Sequence, residues 1–424
     1  MTMTKTNLLA PLRAGLRTPP LALRNVTRGE ARTLAAMAGV GFVVTMVLLQ
    51  LGFLEAVRNT AVTLYDQLDF DVALVSPRYD QLYDAGTFPA ERLRQAEGLE
   101  TVVDARPLYA IFAMWRCPPS DLDPGTSRPR PPGDAPPPAR EAPGRPRPVL
   151  RRELLAIGID PDRDPFREPI RGRIEAAGAR LKLDGRVLLN ELSHPDFGWW
   201  AWPAFDGWEL GRSAVEVVGG FPLQRGFGAD GAVLLSDLNY LRLCAPPMAR
   251  GVSLGLLRVR PGTAGETVRR LQAVLPPDTV ALTREALNRR EQEFWVNQTS
   301  TGKIFASGVL VAMAVAAVVV YQVLSNDVRS HLPEYATLKA MGYTNRYLAG
   351  VVVAQGLIYA LGSFGPAVAL AYVAYRATEA LASIPMRMTA SNLGLALGLA
   401  VAVSLGSALL TVGKLRTADP ADLY

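Results

Sequence analysis

Four long stretches of the chain contain no charged residue, whereas charged residues are frequent in the segments between them. These stretches are residues 33–54, 304–324, 347–375 and 388–413. A helix needs about 20 apolar residues to cross a bilayer, and backbone groups inside lipid must be hydrogen-bonded within the chain. The pattern therefore predicts four transmembrane helices. Gly362, Gly365 and Pro366 lie inside the third of them and predict a kink there.

The long segment between the first and second apolar stretches, residues 55–303, mixes two hydrophobic patterns. Short aliphatic runs bounded by turn residues predict strands at 71–76, 185–190, 213–221 and 231–236. Helical spacing of apolar residues predicts helices at 89–99 and 265–275. The expected fold class is a polytopic α-helical membrane protein with four transmembrane helices. Its large α+β extracytoplasmic domain lies between helices 1 and 2.

Residues 118–148 differ from the rest of this segment, because twelve of the 31 residues are proline and no aliphatic run is present. Such a composition buries too little apolar surface to offset chain entropy. We expect a surface insertion that separates two strands, "LYAIFAMWR" and "VLRRELLAIGI". A proline-rich ligand for a partner protein is the less favoured alternative.

The net charge of +6 owes much to the residues before the first span, where six basic residues face one acid, Glu30. The six are Lys5, Arg13, Arg17, Arg24, Arg28 and Arg32. Because positive flanks stay inside, the N-terminus is expected in the cytoplasm, and four crossings return the C-terminus there. The arginines at 24, 28 and 32 share one face of a helix over 21–34. That face either meets acidic membrane lipids or is simply solvated.

This topology divides the chain into segments with defined boundaries. The cytoplasmic segments are 1–32, 325–346 and 414–424, the outer segments are 55–303 and 376–387, and the four apolar stretches lie between them.

Residues that carry chemistry are scarce. The two histidines, His194 and His331, fall on opposite sides of the membrane in this topology, which excludes a histidine dyad. Cys117 and Cys244 either form one bridge or stay unpaired. We predict no catalytic, cofactor or metal site, no phosphate-binding loop of an ATPase and no nucleic-acid partner. A membrane-anchored enzyme is therefore disfavoured. Four tryptophans between 199 and 208 are expected to pack an irregular loop onto the outer domain, against the alternative of an aromatic surface that faces lipid or a partner.

The segment "DVRSHLPEYATLKAMGYTNRYL", residues 327–348, carries its own helix signals between the second and third spans. Pro333 fits the first helical turn, where its missing N–H costs nothing. Glu334 suits the positive end of a helix and Lys339 the negative end. Gly342 fits a C-cap. These residues predict a rigid helix of about two turns at the cytoplasmic face, against the alternative of a passive loop.

Four stretches resemble the MacB/FtsX-type permeases of ABC systems, and most of all the DevC-type exporter permeases. They are "TLYDQLDFDVALVSP" from Thr63, "FGADGAVLLSDLNYLRL" (227–243), the segment 327–348 and the tail "KLRTADPADLY" (414–424). The resemblance runs from about Leu21 to the end and departs chiefly at the proline-rich insertion. It implies that residues 55–303 are a MacB-like periplasmic core domain and that 304–424 are an FtsX-like permease domain in the cell inner membrane.

The resemblance also implies partners. They are a separate DevA-like ABC ATPase subunit, a DevB-like periplasmic adaptor, a TolC-like outer-membrane channel and a second copy of the chain as a homodimer. The function implied is export, in DevC-type systems associated with glycolipid. The alternative is an FtsX-like mechanotransmitter that signals to an outer partner without moving cargo. In either case 325–346 is the segment that couples to the ATPase, and its expected residues are His331, Pro333, Glu334, Tyr335, Lys339 and Gly342.

Overall fold

The structure is a computed structural model that describes residues 30–116, 151–203, 207–226, 228–244, 251–382 and 386–417. Four helices among these residues are long and apolar enough to cross a membrane. All its α-helices are, in chain order, α1 (Glu30–Ala61), α2 (Thr63–Asp66), α3 (Glu91–Glu97), α4 (Ile170–Ala177), α5 (Ala179–Lys182), α6 (Asp237–Leu243), α7 (Ala264–Val274), α8 (Arg284–Asn297), α9 (Ser300–Ser330), α10 (Leu332–Ala340), α11 (Asn345–Ala382) and α12 (Ala390–Thr417). The membrane-length helices are α1, α9, α11 and α12, which confirms the predicted four-helix fold class.

The strands are β1 (Val72–Val75), β2 (Val102–Arg116), β3 (Arg151–Ile159), β4 (Arg186–Asn190), β5 (Glu209–Leu210), β6 (Ser213–Ala214), β7 (Glu216–Phe221), β8 (Ala232–Ser236), β9 (Leu254–Val259) and β10 (Val280–Thr283). All of them lie between α1 and α9 along the chain. The chain divides into two compact units. The membrane unit contains α1 up to Ala56 and everything from Ser300 onward, and the sheet domain is Val57–Thr299.

Close helix packing in the membrane unit depends on small and hydroxyl-bearing residues. An added Cβ on Gly41 of α1 would lie 3.6 Å from the Cβ of Ser363 in α11. The Thr45 hydroxyl donates to the Ala367 carbonyl at 3.3 Å, again joining α1 to α11. Without a hydrophobic driving force in lipid, such close approach and interhelical hydrogen bonding hold helices together. Pro366 lies inside α11, which continues to Ala382, and the kink stays a prediction.

The sheet of the sheet domain is mixed. Its strand order is β10-β1-β9-β2-β3-β8-β4-β7, with the short β5 and β6 paired beside β2. Parallel pairs join β3 to β8 and β4 to β7, whereas the other pairs along the sheet are antiparallel. Neighbouring residues of one strand point to opposite sides, so the sheet has two apolar faces. Residues of α4 and α8 pack in the cluster on one face, and residues of α3, α6 and α7 pack in the cluster on the other. In β1, Ala73 packs with one face and Leu74 with the other.

The two strands expected to flank the proline-rich insertion are present and paired. β2 and β3 run antiparallel from Leu108 opposite Ile159 to Arg116 opposite Arg151. The insertion therefore leaves and re-enters the domain at one end of a hairpin. Its residues 118–148, Cys117, the face with Arg24 and Arg28, and the C-terminal tail from 418 lie outside the described residues.

One strand prediction is wrong. Residues 213–221 were expected to form a single strand, but β6 ends at Ala214 and β7 begins at Glu216. β6 pairs with β5, whereas β7 pairs with β4. The Val215 N–H donates instead to the Trp208 carbonyl at 3.0 Å, so the chain changes partners at a buried valine. Continuous β-propensity does not report a change of partner.

The tryptophan-rich loop packs onto the sheet domain, as expected. Trp208 is buried and stacks on Trp115 of β2, with ring centroids 5.4 Å apart. Trp199 and Trp202 stack at 5.3 Å, and the Trp202 indole N–H donates to the Val217 carbonyl at 2.8 Å. Trp200 alone of these four is largely exposed, at 43%. Three of these tryptophans, 199, 202 and 208, therefore pack with the core of the sheet domain.

Candidate functional site

The short helix α10, between the spans α9 and α11, carries the residues expected to form a coupling segment. It begins directly after His331, and the Tyr335 N–H donates to the His331 carbonyl at 3.0 Å. Pro333 and Glu334 occupy its first turn. A proline there removes no helical hydrogen bond, and an acidic side chain is favoured at this end of the helix dipole. The start of the helix is therefore encoded locally.

A Schellman motif ends α10 at the predicted glycine. Gly342 has a φ of +92°, a left-handed conformation that glycine adopts without steric cost. The Gly342 N–H donates to the Lys339 carbonyl at 3.0 Å, and the Tyr343 N–H donates to the Leu338 carbonyl at 3.1 Å. This pair of bonds satisfies carbonyls that the end of a helix leaves open. Lys339, in the last turn, suits the negative end of the dipole.

His331 joins α10 to the end of the preceding span. Its Nδ1 lies 2.9 Å from the Asp327 carbonyl oxygen and 3.7 Å from the Asp327 Oδ1. Because a carbonyl oxygen only accepts, Nδ1 carries the proton in this bond. The His331 side chain is 13% exposed and that of Asp327 6%. His331 is thus a joint between α9 and α10 rather than part of an open surface.

Tyr335 fixes α10 to the next span. It is buried, and it packs in the apolar core of the membrane unit. Its hydroxyl donates to the Oε1 of Gln355 in α11 at 3.3 Å. Gln355 is itself fully buried, and its amide nitrogen has no hydrogen-bond partner within the described part of the chain. Through His331 and Tyr335, α10 therefore holds both α9 and α11.

The exposed side of α10 presents a different set of residues. Pro333, Glu334 and Gly342 are exposed, and Lys339 is half-buried. Two further apolar side chains continue this surface past the helix end, since Met341 is 63% exposed and Tyr343 44%. Arg329 precedes α10 in the sequence and Arg346 follows it, and both are exposed. We call the exposed residues 329, 333, 334, 341, 343 and 346 the outer face of the coupling segment.

The six sequence-predicted residues thus divide by position. Pro333, Glu334 and Gly342 are exposed, and Lys339 is half-buried. His331 and Tyr335 instead contact residues of α9 and α11. Sequence reasoning missed Met341 and Tyr343 on the outer face and Gln355 beneath it. An apolar residue next to a C-cap glycine was a signal for the first two. A glutamine within an apolar span was a signal for the third, since buried polar groups in membranes seek partners.

Comparison with known proteins places this helix within a recognised domain. Residues 306–420 match the FtsX-like permease C-terminal family. The matched residues include nearly all of α9, the whole of α10 and α11, and α12. The chain is a multi-pass membrane protein, and most of its last three spans lies within the region that matches this family.

The sheet domain lies outside that match. No curated protein matches the chain. Among solved structures, the chain is similar to the extracellular domain of a noncanonical ABC-type transporter, YknZ, from Gram-positive bacteria. The sequence identity is 11%, the TM-score is 0.29, and the match covers 50% of this chain and 98% of that one. A TM-score this low carries no argument about the fold or function of the sheet domain.

Proposed function

We propose that the chain is the permease subunit of an ABC-type exporter, and that the outer face of its coupling segment binds a separate ATPase subunit. The observation that carries this proposal is the capped helix α10, held to both neighbouring spans inside an FtsX-like permease domain. Contact on the outer face displaces a rigid body. The joints at His331 and Tyr335 then pass that displacement to α9 and α11 together.

The outer face has the composition that a protein interface needs. Exposed Met341 and Tyr343 supply apolar and aromatic area, and both residue types are enriched in interfaces. Glu334 and the arginines at 329 and 346 supply charges around that area. Charges at an interface set orientation and association rate, and a like-charge juxtaposition there costs several kcal/mol. A passive loop does not require a Schellman cap or exposed aromatic area.

The finer proposal follows the DevC resemblance. The permease acts as a homodimer in the inner membrane with both termini in the cytoplasm. A periplasmic adaptor and a TolC-like channel continue the path, and the cargo is an amphiphile such as a glycolipid. Cysteine labelling from outside tests the orientation: we expect modification of a cysteine placed within 118–148 and none at Thr344→Cys. Reversed labelling contradicts this topology.

Charge reversal at Glu334 tests the function. Glu334→Lys places a cation in the first helical turn, where the dipole cost is only about 0.3–1 kcal/mol at an exposed site. We expect normal abundance of the variant and loss of co-purification with the ABC ATPase encoded beside its gene. The matched control is Glu379→Lys, near the other end of α11, where Glu379 pairs with Arg376 three residues away. The control is expected to keep the ATPase.

Hydrolysis provides the second readout. We expect the purified chain alone to hydrolyse no ATP above background, and the complex with its ATPase to do so. Robust hydrolysis by the isolated chain, with contamination excluded, refutes a separate ATPase subunit. Retention of the ATPase by Glu334→Lys at wild-type level shows that the outer face is not the contact.

A further inference from the structure

A buried carboxylate in the sheet domain has no place in the coupling site described above. Glu291, in α8, has no exposed surface. α8 ends at Asn297, and the second span begins at Ser300. The helix that carries Glu291 is therefore the segment through which the sheet domain connects to the second span.

The partners of Glu291 come from the other membrane connection of the domain, the residues that follow the first span. The Tyr79 hydroxyl donates to Oε2 at 2.6 Å and the Tyr65 hydroxyl at 3.2 Å. The two tyrosine hydroxyls are also in hydrogen-bond contact, so Tyr65 shares its single proton between Oε2 and the Tyr79 oxygen. The Leu82 N–H lies 3.2 Å from Oε1 and 3.1 Å from Oε2, and the Trp295 indole N–H donates to Oε1 at 3.2 Å.

These partners suit a carboxylate and no apolar residue. A carboxylate offers two acceptor oxygens, and here one backbone N–H, one indole N–H and two phenol hydroxyls converge on them. Bonds to a charged acceptor are stronger than neutral ones, and removal of the acceptor leaves buried donors unsatisfied. Loss of the Glu291 carboxylate would therefore leave these four buried donors without their acceptor.

A second contact fastens the start of the same helix to the same segment. Arg284 donates to the Tyr65 carbonyl at 2.6 Å and to the Leu68 carbonyl at 3.0 Å. Its guanidinium also lies 4.9 Å from the centroid of the Phe70 ring. Arg284 and Glu291 are seven residues apart, so they lie on one face of α8. Both hold residues 65–82 against that face.

We propose that Glu291 is a latch that fastens the segment after the first span to the helix before the second span. Residues 65–82 include β1, which pairs with β10 directly before α8. The latch adds a direct side-chain connection from α8 to the residues on either side of β1, so a displacement of α8 carries them with it. The latch is a positioning device. Its role in transmission rests on the proposed function, whereas its existence as a connection does not.

Hydrogen exchange on the full-length chain in lipid nanodiscs, without any ATPase, tests the connection. Glu291→Leu keeps approximate side-chain size and removes both acceptor oxygens. We expect backbone amides in 65–70, in 76–82 and in α8 to exchange together at least about tenfold faster, since local opening reports lost interactions. Amides of β1 stay protected by its pairs with β9 and β10. Amides in β3 and β8 keep their rates. The matched control is Glu293→Leu, an exposed position on the same helix, with no change expected.

Tyr79→Phe keeps the test decisive if Glu291→Leu fails to accumulate. It removes one hydroxyl, the partner at 2.6 Å, and leaves the ring in place. Faster exchange in both segments supports the latch. Unchanged exchange in Tyr79→Phe and Glu291→Leu, or faster exchange in one segment only, overturns it.

A second arm separates the latch from the proposed coupling. In the complex with its ATPase, trapped with ATP and vanadate, we expect wild-type exchange to change in α10, in α8 and in 65–82. Tyr79→Phe should keep the changes in α10 and α8 and reduce the change in 76–82, where Tyr79 and Leu82 meet Glu291. If the change in 76–82 stays at the wild-type level in Tyr79→Phe, transmission through the latch is wrong. If wild-type α10 does not respond at all, the proposed coupling fails while the first arm still decides the latch.

Discussion

Gly342→Val isolates the contribution of the helix cap to coupling. An added Cβ at Gly342 meets no atom within 4 Å, so the substitution creates no clash. The cost is therefore conformational, because φ is +92° and a β-branched residue there is a genuine outlier. A left-handed L-residue costs about 1–2 kcal/mol. That is too little to unfold four packed spans, yet it changes the ratio of capped to uncapped states by a factor of about ten.

A helix as short as α10 has little intrinsic stability of its own. We expect loss of the cap to fray the last turn, Thr337–Ala340, and to displace Met341 and Tyr343. The assay has two readouts on the purified complex: retention of the ATPase, and hydrolysis stimulated by the permease. We expect Gly342→Val to reach wild-type abundance and to reduce both readouts, by at most the tenfold change in the ratio of capped to uncapped states, about 1.4 kcal/mol.

Gly262→Val is the matched control. Gly262 has a φ of +80°, and nothing lies within 4 Å of its added Cβ. It belongs to the turn before α7 in the sheet domain. The two variants therefore carry the same backbone strain in equally open space. Equal loss of coupling in both variants, or no loss in Gly342→Val, refutes the assignment of the cap to ATPase contact.

Three further predictions follow from the structure. Tyr335→Phe removes the buried hydroxyl that donates to Gln355, so we expect ATPase binding to persist while stimulated hydrolysis falls severalfold. Loss of ATPase binding would contradict the assignment of binding to the outer face and of transmission to Tyr335. Replacing residues 120–147 with a short Gly/Ser bridge should leave expression and thermal stability nearly unchanged, because the pairing of β2 with β3 does not involve them. A fall in melting temperature would show that these residues pack against the sheet domain. Burial raises the pKa of Glu291, only partly offset by the bonds from Tyr79, Leu82, Trp295 and Tyr65; Tyr83 and Arg290 are the other titratable neighbours. Between the ordinary and the raised pKa the folded chain holds a proton that the unfolded chain releases, so stability from this group is present below the ordinary pKa and is lost as pH rises through the raised one. The melting temperature of the wild type should fall relative to Glu291→Gln as pH rises from about 4 upward, and a constant difference contradicts the shift.

The elements that the sequence predicts best are those with a strong local signal. Uncharged length identifies the four spans, and α10 follows from Pro333 and Gly342 at its two ends. β1, β4 and β8 lie within the predicted strands because turn residues bound each aliphatic run. These signals are local because they report the backbone conformation of a few residues.

The relations between distant elements are not encoded in that way. Tyr335 was expected in the coupling segment, but its burial against Gln355 depends on where α11 lies. In the sequence, Glu291 is one acidic residue in a charged helix. Its partners Tyr65, Tyr79 and Leu82 lie about 210 to 226 residues earlier in the chain. The change of partner at Val215 likewise depends on β4 and β5, not on the run of β-formers. Periodicity reports which face is buried and not what covers it.

Site-specific photo-crosslinking from the outer face tests the central claim most directly. A photoreactive residue at Met341 or Tyr343, both exposed, is expected to form a covalent adduct with the ABC ATPase in the intact membrane. The same residue at Val274, which is 62% exposed in the sheet domain, should form none. Adducts from 341 and 343 and none from 274 are the predicted result. Absence of an ATPase adduct at both coupling positions, in a complex that still co-purifies, contradicts the account.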